Sequence, residues 1–579
     1  MVTGRRVVDH IVGYLAANGI SHIFGVDGAN IEDLYDAAFF REDITAILAK
    51  HEFSAATMAD GYSRGGAGIG VVAATSGGGC LNTVPGLGES LASRVPVLAL
   101  IGQAPTALDG HGAFQDTSGD NGALDAHTLF SAVSVYCRRV MTPRDILTAL
   151  PEALAAARTG GPAVLLLPKD IQQADLEPFG ACNGNGVIGA AGARQGDLRG
   201  LEQALRRIDG PITIIAGEQV ARDDARAELE RLRATLRARV ATVPDAKDVA
   251  GTPGLGSSSA LGVSGVMGHP GVPVAAAQSA MCLLVGTRMS VTARAGLDEA
   301  LRSVPVYSVG AQVPYPACTH VHSDDLRESL AQLALALSGP GRPTPVRVPD
   351  LGPRNELQPP IHSGPGIRYR DAMTVLDGAL PDGTDIVVDA GNIGASAIHY
   401  LPARRGGRFL VALGMGGMGY SFGAAIGMTF HRAATAAQQR TVVIAGDGSF
   451  FMHGMEIHTA MQYRLPITFV LFDNHAHAMC VTREQLFYQD RYSYNRFGPS
   501  RLGGGLATMF PGLLAVDVAE AGELSDALAK ALTVDGPAVV SVECSADEIP
   551  PFAAFLTTKN LDNHSTAAEE NRSHVTARA

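Results

Sequence analysis

The chain of 579 residues has no tryptophan, few other aromatic residues and few charges. Aromatic residues make up 6% and charged residues 18%, whereas apolar residues reach 46%. This composition is typical of a compact α/β protein and not of a disordered chain. The acidic excess gives a formal net charge of −12, which argues against binding to nucleic acids or to anionic membranes. We therefore expect no nucleic acid and no membrane as a partner.

Paired cysteines and long hydrophobic runs are missing as well. The seven cysteines are scattered, contain no CxxC pair and are odd in number, a pattern typical of reducing compartments. No run of about twenty apolar residues is present, so no transmembrane helix is predicted. Residues 1–26 are interrupted by Asp9, His10 and Asn18 at helical spacing, which indicates an amphipathic helix and not a signal peptide. The predicted location is the cytoplasm.

A rhythm of short strand, turn and Ala-rich helix repeats over three segments of the chain. Val/Ile/Leu-rich runs such as HIFGV, PITIIAGE and PITFVLFDN predict parallel strands that are buried on both faces. The predicted fold class is α/β, with three successive doubly wound parallel-sheet domains. Pro/Gly-rich and polar stretches set the boundaries: a first domain at 1–182, a central domain at 190–338, a linker at 339–366, a third domain at 367–555 and a polar tail at 556–579.

Two polar side chains end neighbouring predicted strands in the third segment. Asp447 lies in GDG after one strand, and Asn474 ends the next, 474 − 447 = 27 residues later. One helix and one strand fit between them, so both oxygens should meet at one edge of a parallel sheet. GDG alone is more often a simple turn, but the pair suits a Mg²⁺ that bridges a diphosphate. His475 and His477 flank this site, and we expect them to form pocket wall because Mg²⁺ prefers oxygen ligands.

GDG followed by a strand-ending Asn resembles the thiamine-diphosphate motif of the acetolactate synthase, pyruvate decarboxylase and benzaldehyde lyase superfamily. The resemblance covers the whole chain and implies thiamine diphosphate and Mg²⁺ as cofactors. It implies Asp447, Asn474 and the carbonyl of Ala476 as metal ligands, with Asp473 in place of the family's usual Asn. The residues it places along the diphosphate are Gly391, Asn392, Gly446, Gly448 and Ser449.

Two other segments resemble the parts of this family that hold the cofactor's rings. ILAKHEFSAATMADGYSR is similar to the RHE…AADGYAR segment, which implies that Glu52 hydrogen-bonds the aminopyrimidine and activates the cofactor. By itself Glu52 would be an ordinary residue of a helix start. LGMGGMGYSFGAAIGM resembles a segment of acetolactate synthases, which implies Met418 as the wedge under the cofactor and the Gly416 carbonyl as acceptor for its amino group. Asn82 is the remaining residue expected to bind the cofactor.

Three more segments resemble acetolactate synthases and favour a carboligase. GHGAFQDTSG is similar to their AFQE segment and places Phe114 and Gln115 beside the reacting carbons. GPAVLLLPKDIQQ brings Lys169 to a matching position. AMCVTREQLFYQDRYS resembles their active-site cover, with Met479 near the cofactor and Arg483 where those enzymes have Trp. Each match alone is equally well explained by packing, but the three lie in separate regions.

Departures from acetolactate synthase narrow the interpretation. In GTRMSVTAR, Arg288 is retained, but an acidic pair is lost and Thr292 aligns with the second Arg. This argues against FAD, which the resemblance otherwise implies as a further cofactor. In FGVDGANIED, Asn30 takes the place of benzaldehyde lyase's His. The protonating groups of simple decarboxylases are also missing, which disfavours that reaction.

The predicted function is a thiamine-diphosphate-dependent carboligase. It would decarboxylate a 2-oxo acid, with pyruvate as the expected donor, and add the acyl unit to a second carbonyl. Because Glu52 and Asp447 lie in different domains, the resemblance implies a homodimer or a dimer of dimers with shared active sites. The alternatives left open are an acyloin-cleaving lyase, a 2-oxo acid decarboxylase, an oxidase or acyl transferase, and an inactive regulatory relative.

Overall fold

The computed structural model describes residues 5–176, 194–250, 260–338, 354–434, 439–491 and 493–557. Three parallel six-stranded sheets, each flanked by helices, follow one another along these residues. This confirms the predicted α/β class with three doubly wound sheets. The predicted domain boundaries stay predictions, because residues 177–193, 339–353 and 558–579 lie outside the described part.

The first sheet has the strand order β2-β1-β3-β4-β6-β5. Its strands are β1 (His22–Val26), β2 (Thr45–Leu48), β3 (Gly70–Ala74), β4 (Val97–Gln103), β5 (Tyr136–Arg139) and β6 (Pro162–Pro168). Its helices are α1 (Val7–Ala17), α2 (Glu32–Phe39), α3 (Glu52–Tyr62), α4 (Gly78–Ala92), α5 (Ala126–Ser131), α6 (Ile146–Arg158) and α7 (Lys169–Gln173). The central strands β3, β4 and β6 are buried at every position, as expected when helices cover both faces of a parallel sheet.

The central sheet has the order β9-β8-β7-β10-β11-β12. Its strands are β7 (Ile212–Ala216), β8 (Arg239–Thr242), β9 (Ala260–Val263), β10 (Met281–Val285), β11 (Val306–Gly310) and β12 (Thr319–His322). Its helices are α8 (Arg199–Arg207), α9 (Gln219–Arg222), α10 (Arg226–Leu236), α11 (Gly271–Ala277), α12 (Val291–Arg294), α13 (Asp298–Ser303) and α14 (Leu326–Ser338). The strand order reverses between β7 and β10, where ligands commonly bind in such sheets.

The third sheet repeats the order of the first, β14-β13-β15-β16-β18-β17. Its strands are β13 (Asp385–Val388), β14 (Phe409–Val411), β15 (Thr441–Gly446), β16 (Ile467–Asp473), β17 (Leu514–Val518) and β18 (Ala538–Glu543). Its helices are α15 (Tyr369–Ala379), α16 (Asn392–Tyr400), α17 (Tyr420–Ala434), α18 (Asp447–His453), α19 (Ile457–Gln462), α20 (Ala478–Tyr488), α21 (Leu502–Met509) and α22 (Ala521–Ala531). Every helix in the described ranges is too short or too polar to cross a bilayer.

Helices α3 and α17 join the first sheet to the third through a glycine contact. A Cβ on Gly61 would lie 2.1 Å from the carbonyl oxygen of Ala424, and one on Gly427 would lie 1.8 Å from that of Met58. The two helix backbones therefore touch, which only glycine permits. The contact fixes α3, whose first residue is Glu52, relative to α17.

Arg408 connects all three sheets at their junction. Its guanidinium donates to Asp248 at 2.5 Å and to Glu218 at 3.1 Å, both on the central segment. It also donates to the backbone carbonyl of Arg64 at 2.5 Å, on the first segment. Arg408 and Asp248 are both buried. A charge held this deeply is tolerated because it is paired on several sides, and removing one partner would leave the other uncompensated.

Candidate active site

Polar residues follow three adjacent strands of the third sheet. Asp389 comes directly after β13, Asp447 after β15 and Asn474 after β16. All three side chains are buried. The sequence predicted the meeting of Asp447 and Asn474, and the parallel register of β15 with β16 brings their ends to one edge.

The oxygens of Asp447 and Asn474 converge on the backbone of Ala476. Asp447 Oδ2 and Asn474 Oδ1 each accept a hydrogen bond from the Ala476 amide, both at 3.1 Å. Burial, with the nearby charge of Asp473, raises the pKa of Asp447 to about 7. A buried, oxygen-rich site with excess negative charge fits a hard divalent cation such as Mg²⁺.

Asp473 and His475 add a second set of donor atoms. One ligand atom each from Asp447, Asp473 and His475 lies within 4.8 Å of the others. His475 adopts a φ of +54°, and its ring lies between Asp473 at 3.0 Å and Glu543 at 3.4 Å. The expectation that His475 is pocket wall stays a prediction, because this set is compatible with metal binding, although all-oxygen sets suit Mg²⁺ better.

Glycines leave open space beside this edge. Gly391, with a φ of +101°, precedes α16, and Gly416 has a φ of +66°. A Cβ built on either residue meets no atom within 4 Å, and one on Gly446 comes no closer than 3.9 Å to another atom. Asn392 is the first residue of α16 and is buried. Open space at the N-terminus of α16 suits a diphosphate, since the first amides of a helix lack partners within the helix and favour anions.

Asp389 ties this glycine-rich region together and was not singled out from the sequence. Its carboxylate accepts from the Ser449 hydroxyl at 2.6 Å and from the amides of Gly419 at 3.0 Å and Ser421 at 2.9 Å. Met418 lies against the same region, with its Cε 3.2 Å from a Cβ built on Gly448. The sequence does contain a signal for Asp389, because an Asp that follows a buried Val-rich strand needs several hydrogen-bond donors.

Glu52 and Asn82 form a second polar pair, at the first sheet. Glu52 is the first residue of α3, and its Oε2 accepts from Asn82 Nδ2 at 2.9 Å. A Cβ on Gly79 would lie 3.1 Å from Glu52 Oε1, so only a small residue leaves that oxygen accessible. The structure therefore brings Glu52, which was predicted to bind the pyrimidine ring, together with Asn82, which was predicted to bind the cofactor.

A chain of hydrogen bonds that includes Gln115 lies beside this pair, since a Cβ on Gly79 would meet both Thr75 Cγ2, at 2.8 Å, and Glu52 Oε1. The Asn30 amide donates to Thr75 Oγ1 at 3.2 Å, and Thr75 Oγ1 donates to Gln115 Oε1 at 3.3 Å. Gln115 has a φ of +60°, a conformation that costs free energy for a residue other than glycine and is common at functional sites. The side-chain oxygen of Gln115 accepts the hydrogen bond from Thr75, so its side-chain amide nitrogen is the atom that can donate to a ligand. Phe114 next to it is 76% exposed.

The other predicted catalytic residues differ in how far they are buried and in what they contact. Lys169 begins α7 and pairs with Glu32, while also donating to the Ala29 carbonyl at 2.6 Å. Met479 and Arg483 lie on α20, which begins four residues after Asn474. Met479 packs against a small apolar cluster and Arg483 is exposed. Their catalytic roles stay predictions.

The central sheet carries a separate cleft at the ends of β7, β10 and β11. Its volume is about 290 Å³, and charged side chains of Arg94, Arg222, Arg288 and Glu218 line it. The Arg288 guanidinium stacks on Tyr315 at 4.5 Å from the ring centroid. The doubt about FAD as a cofactor stays a prediction.

Comparisons with known proteins agree with this geometry. The model of the thiamine pyrophosphate enzyme N-terminal TPP binding domain matches residues 5–124, and that of the C-terminal TPP binding domain matches residues 389–542. These ranges contain Glu52 and Asn82 on one side and Asp447 and Asn474 on the other.

Individual relatives match along almost the whole chain. The protein named "Probable acetolactate synthase large subunit" of Methanocaldococcus jannaschii is 28% identical over 94% of this chain and 92% of its own. The acetolactate synthase isozyme 2 large subunit of Escherichia coli is 28% identical over 93% of this chain and 95% of its own.

A solved structure shows the same fold. The benzoylformate decarboxylase of Polynucleobacter necessarius superposes with a TM-score of 0.78 at 18% identity, over 94% of this chain and all of that one. Two matching cofactor domains, the full-length relatives and the polar edges of the first and third sheets lead to one conclusion. The chain carries the N-terminal and C-terminal TPP binding domains of thiamine pyrophosphate enzymes and is similar in sequence to acetolactate synthase large subunits.

Proposed function

We propose that this protein is a thiamine-diphosphate- and Mg²⁺-dependent carboligase. Its donor would be a 2-oxo acid, with pyruvate as the first candidate, and its acceptor a second carbonyl compound. When bound, thiamine diphosphate would supply a carbon nucleophile for the donor carbonyl and an electron sink for the loss of CO₂. The similarity to acetolactate synthase large subunits supports this choice of reaction.

The observation that carries the proposal is the convergence of Asp447 and Asn474 at Ala476. These three residues would hold Mg²⁺, with Asp447 as the charged ligand and Ala476 contributing its carbonyl. At the other half of the site, Asn82 holds one oxygen of Glu52. The second oxygen of Glu52 would then exchange a proton with the pyrimidine ring of the cofactor.

Addition to a second carbonyl is favoured over simple decarboxylation by the side chains around Glu52. Asn30, Thr75, Ser76 and Gln115 are neutral hydrogen-bonding groups, joined by short contacts. Releasing a free aldehyde requires a positioned acid that donates a proton to the reacting carbon, and amides and hydroxyls of ordinary pKa are poor acids. They are suited to hold an acceptor carbonyl by hydrogen bonds instead.

A simple 2-oxo acid decarboxylase is the second candidate. The fold match to a protein named benzoylformate decarboxylase keeps this reaction open, although at 18% identity the match speaks for the fold alone.

Arg483 replaces the Trp of acetolactate synthases in the resemblance, so a polar or anionic acceptor also fits the proposed carboligase. FAD is left out of the proposal, because the acidic pair of the resemblance is missing after Arg288 and Thr292 stands in place of the second Arg.

We also propose that two copies of the chain share two active sites. Several apolar side chains are exposed near the two halves of the site: Leu81, Phe114, Met415, Phe451, Met452 and Met455. Exposed apolar side chains concentrated on one part of a surface mark an interface. A dimer would bring the half-site around Glu52 of one copy to the half-site around Asp447 of the other.

The deciding experiment incubates the purified protein with thiamine diphosphate, Mg²⁺ and [¹³C]pyruvate, and follows CO₂ release and products by NMR. Acetolactate or acetoin as the main product supports the carboligase. Acetaldehyde as the main product supports the decarboxylase instead. Cofactor binding by calorimetry without any turnover of pyruvate would rule out pyruvate as the donor and direct the search to other 2-oxo acids.

A further inference from the structure

Glu89 is a buried carboxylate that connects the first sheet's segment to a loop of the third. It lies on α4 and is only 3% exposed. Its Oε2 accepts from the amide of Met415 at 2.6 Å, and its Oε1 accepts from the amide of Gly414 at 3.2 Å. One side chain therefore holds two consecutive amides of the loop between β14 and α17.

The charge of Glu89 is supported from its own side of the contact. Ser93 Oγ donates to Oε1 at 2.6 Å, and Arg64 Nη2 lies 3.4 Å from the same oxygen. Arg64 is also paired with Asp60 at 2.7 Å, and Asp60 accepts from the Tyr420 hydroxyl at the start of α17. A buried carboxylate with this many donors keeps one orientation.

The loop that Glu89 holds carries the predicted contacts to the cofactor rings. Glu89 fixes its beginning, and Asp389 fixes its end through the amides of Gly419 and Ser421. Gly416 and Met418 lie between these two clamps. Gly416 has a left-handed φ of +66°, and the stretch around it is neither helix nor strand. Its shape therefore depends on the hydrogen bonds that Glu89 and Asp389 accept from it.

We propose that Glu89 is a positioning residue for thiamine diphosphate, which fixes the loop that presents the Gly416 carbonyl and Met418 to the cofactor. The inference rests on the cofactor binding that is part of the proposed function. Glu89 acts through the loop and does not touch the cofactor itself. A loop that is already ordered binds a ligand more tightly, because no conformational entropy is lost on binding.

Two substitutions test this from opposite sides of the contact. Glu89→Gln keeps the size of the side chain, but its amide nitrogen cannot accept a hydrogen bond, so one loop amide loses its partner. Gly414→Ala leaves Glu89 in place and crowds it, because the new Cβ would lie 2.9 Å from Glu89 Oε1 and from Ser93 Oγ. Glu152→Gln, an exposed position on α6, is the control for loss of a charge.

The measurement is calorimetric titration of each full-length protein with thiamine diphosphate and Mg²⁺, with near-ultraviolet circular dichroism of the bound cofactor at saturation. Both Glu89→Gln and Gly414→Ala should weaken binding by about 10- to 100-fold, the range expected for loss of a supporting contact. The spectrum of the bound cofactor should change in both, and Glu152→Gln should match the wild type in both readouts. If Glu89→Gln does not fold, Gly414→Ala decides.

Wild-type affinity and spectrum in both loop variants would overturn the role of Glu89 and leave the proposed function intact. A lowered thermal midpoint with unchanged cofactor affinity and spectrum would assign Glu89 to stability alone, which also overturns the inference. Failure of the wild-type protein to bind thiamine diphosphate would overturn the proposed function together with the inference.

Discussion

At the scale of single residues, Glu52 is the side chain whose loss should affect chemistry most. Glu52→Gln keeps the hydrogen-bonding shape beside Asn82 but cannot exchange a proton. We expect kcat for pyruvate consumption to fall at least about 100-fold, the lower range for loss of an acid–base group, with cofactor affinity nearly unchanged. Steady-state kinetics and calorimetry check this against Glu42→Gln, an exposed control. Activity within tenfold of the wild type would remove Glu52 from the mechanism.

Thr75 should determine how Gln115 faces an acceptor. Thr75→Val removes the hydroxyl that donates to Gln115 Oε1 and leaves the amide free to rotate. We expect kcat/KM for carboligation to fall about tenfold, the worth of one hydrogen bond of about 1.4 kcal/mol, with CO₂ release less affected. Thr75→Ser keeps the hydroxyl and should retain carboligation. NMR measures the ratio of carboligation product to released CO₂. Equal ratios in the wild type, Thr75→Val and Thr75→Ser would contradict this role of Thr75.

The residues found from the sequence and those missed differ in what carried the signal. Asp447, Asn474 and Glu52 lie in short motifs, so their positions along the chain were enough to place them. Glu89 and Asp389 act by accepting hydrogen bonds from amides far away in sequence, such as that of Met415. A contact of that kind depends on how two segments pack, and no local pattern records it.

At the scale of elements, the strands predicted from the sequence lie mainly at the centres of the sheets. Those strands are buried on both faces, so they appear as unbroken Val/Ile/Leu runs. The strands at the sheet edges, such as β2, β5, β12 and β17, lack so clear a pattern. Edge strands are partly exposed and carry polar residues, as in the half-buried YCRR of β5, so their hydrophobic signal is weak.

The glycine contact between α3 and α17 should be sensitive to one added methyl group. Gly427→Ala would place a Cβ 1.8 Å from the Met58 carbonyl oxygen and force the helices apart. We expect a loss of about 3 kcal/mol in the free energy of unfolding. Gly378→Ala, in α15 with no atom within 4 Å of the new Cβ, should instead stabilise by about 0.5–1 kcal/mol. Thermal and urea unfolding measure both, and equal stability of the two variants would refute the contact.

At the scale of the whole molecule, a buried histidine pair should make stability depend on pH. His269 and His399 stack at 4.6 Å, and both accept a backbone amide on a ring nitrogen, from Val263 and Leu357. Burial lowers the pKa of His269 to about 3 and that of His399 to about 4, with the charge of Lys247 adding to both effects.

Below the unfolded-state pKa of about 6.5 the unfolded chain therefore binds more protons, and stability falls as pH drops towards 4. The expected slope approaches about 1.4 kcal/mol per pH unit for each ring. His269→Asn retains an acceptor for the Val263 amide and removes one titrating group, so its stability should depend less on pH. Unfolding midpoints between pH 7 and 4.5 test this, and parallel curves for variant and wild type would exclude the pair as the cause.

The glycine contact of α3 with α17 also has a consequence for motion. Two helices that touch through their backbones cannot slide by changing side-chain rotamers, so the first and third sheets should turn as one rigid body. The attachments of the central sheet include long polar side chains, such as Arg408 to Asp248 and Lys247 to the carbonyls of Ala397 and Ile398. Side chains can change rotamer, whereas touching backbones cannot. Any hinge that opens this molecule for substrate should therefore lie at the borders of the central sheet.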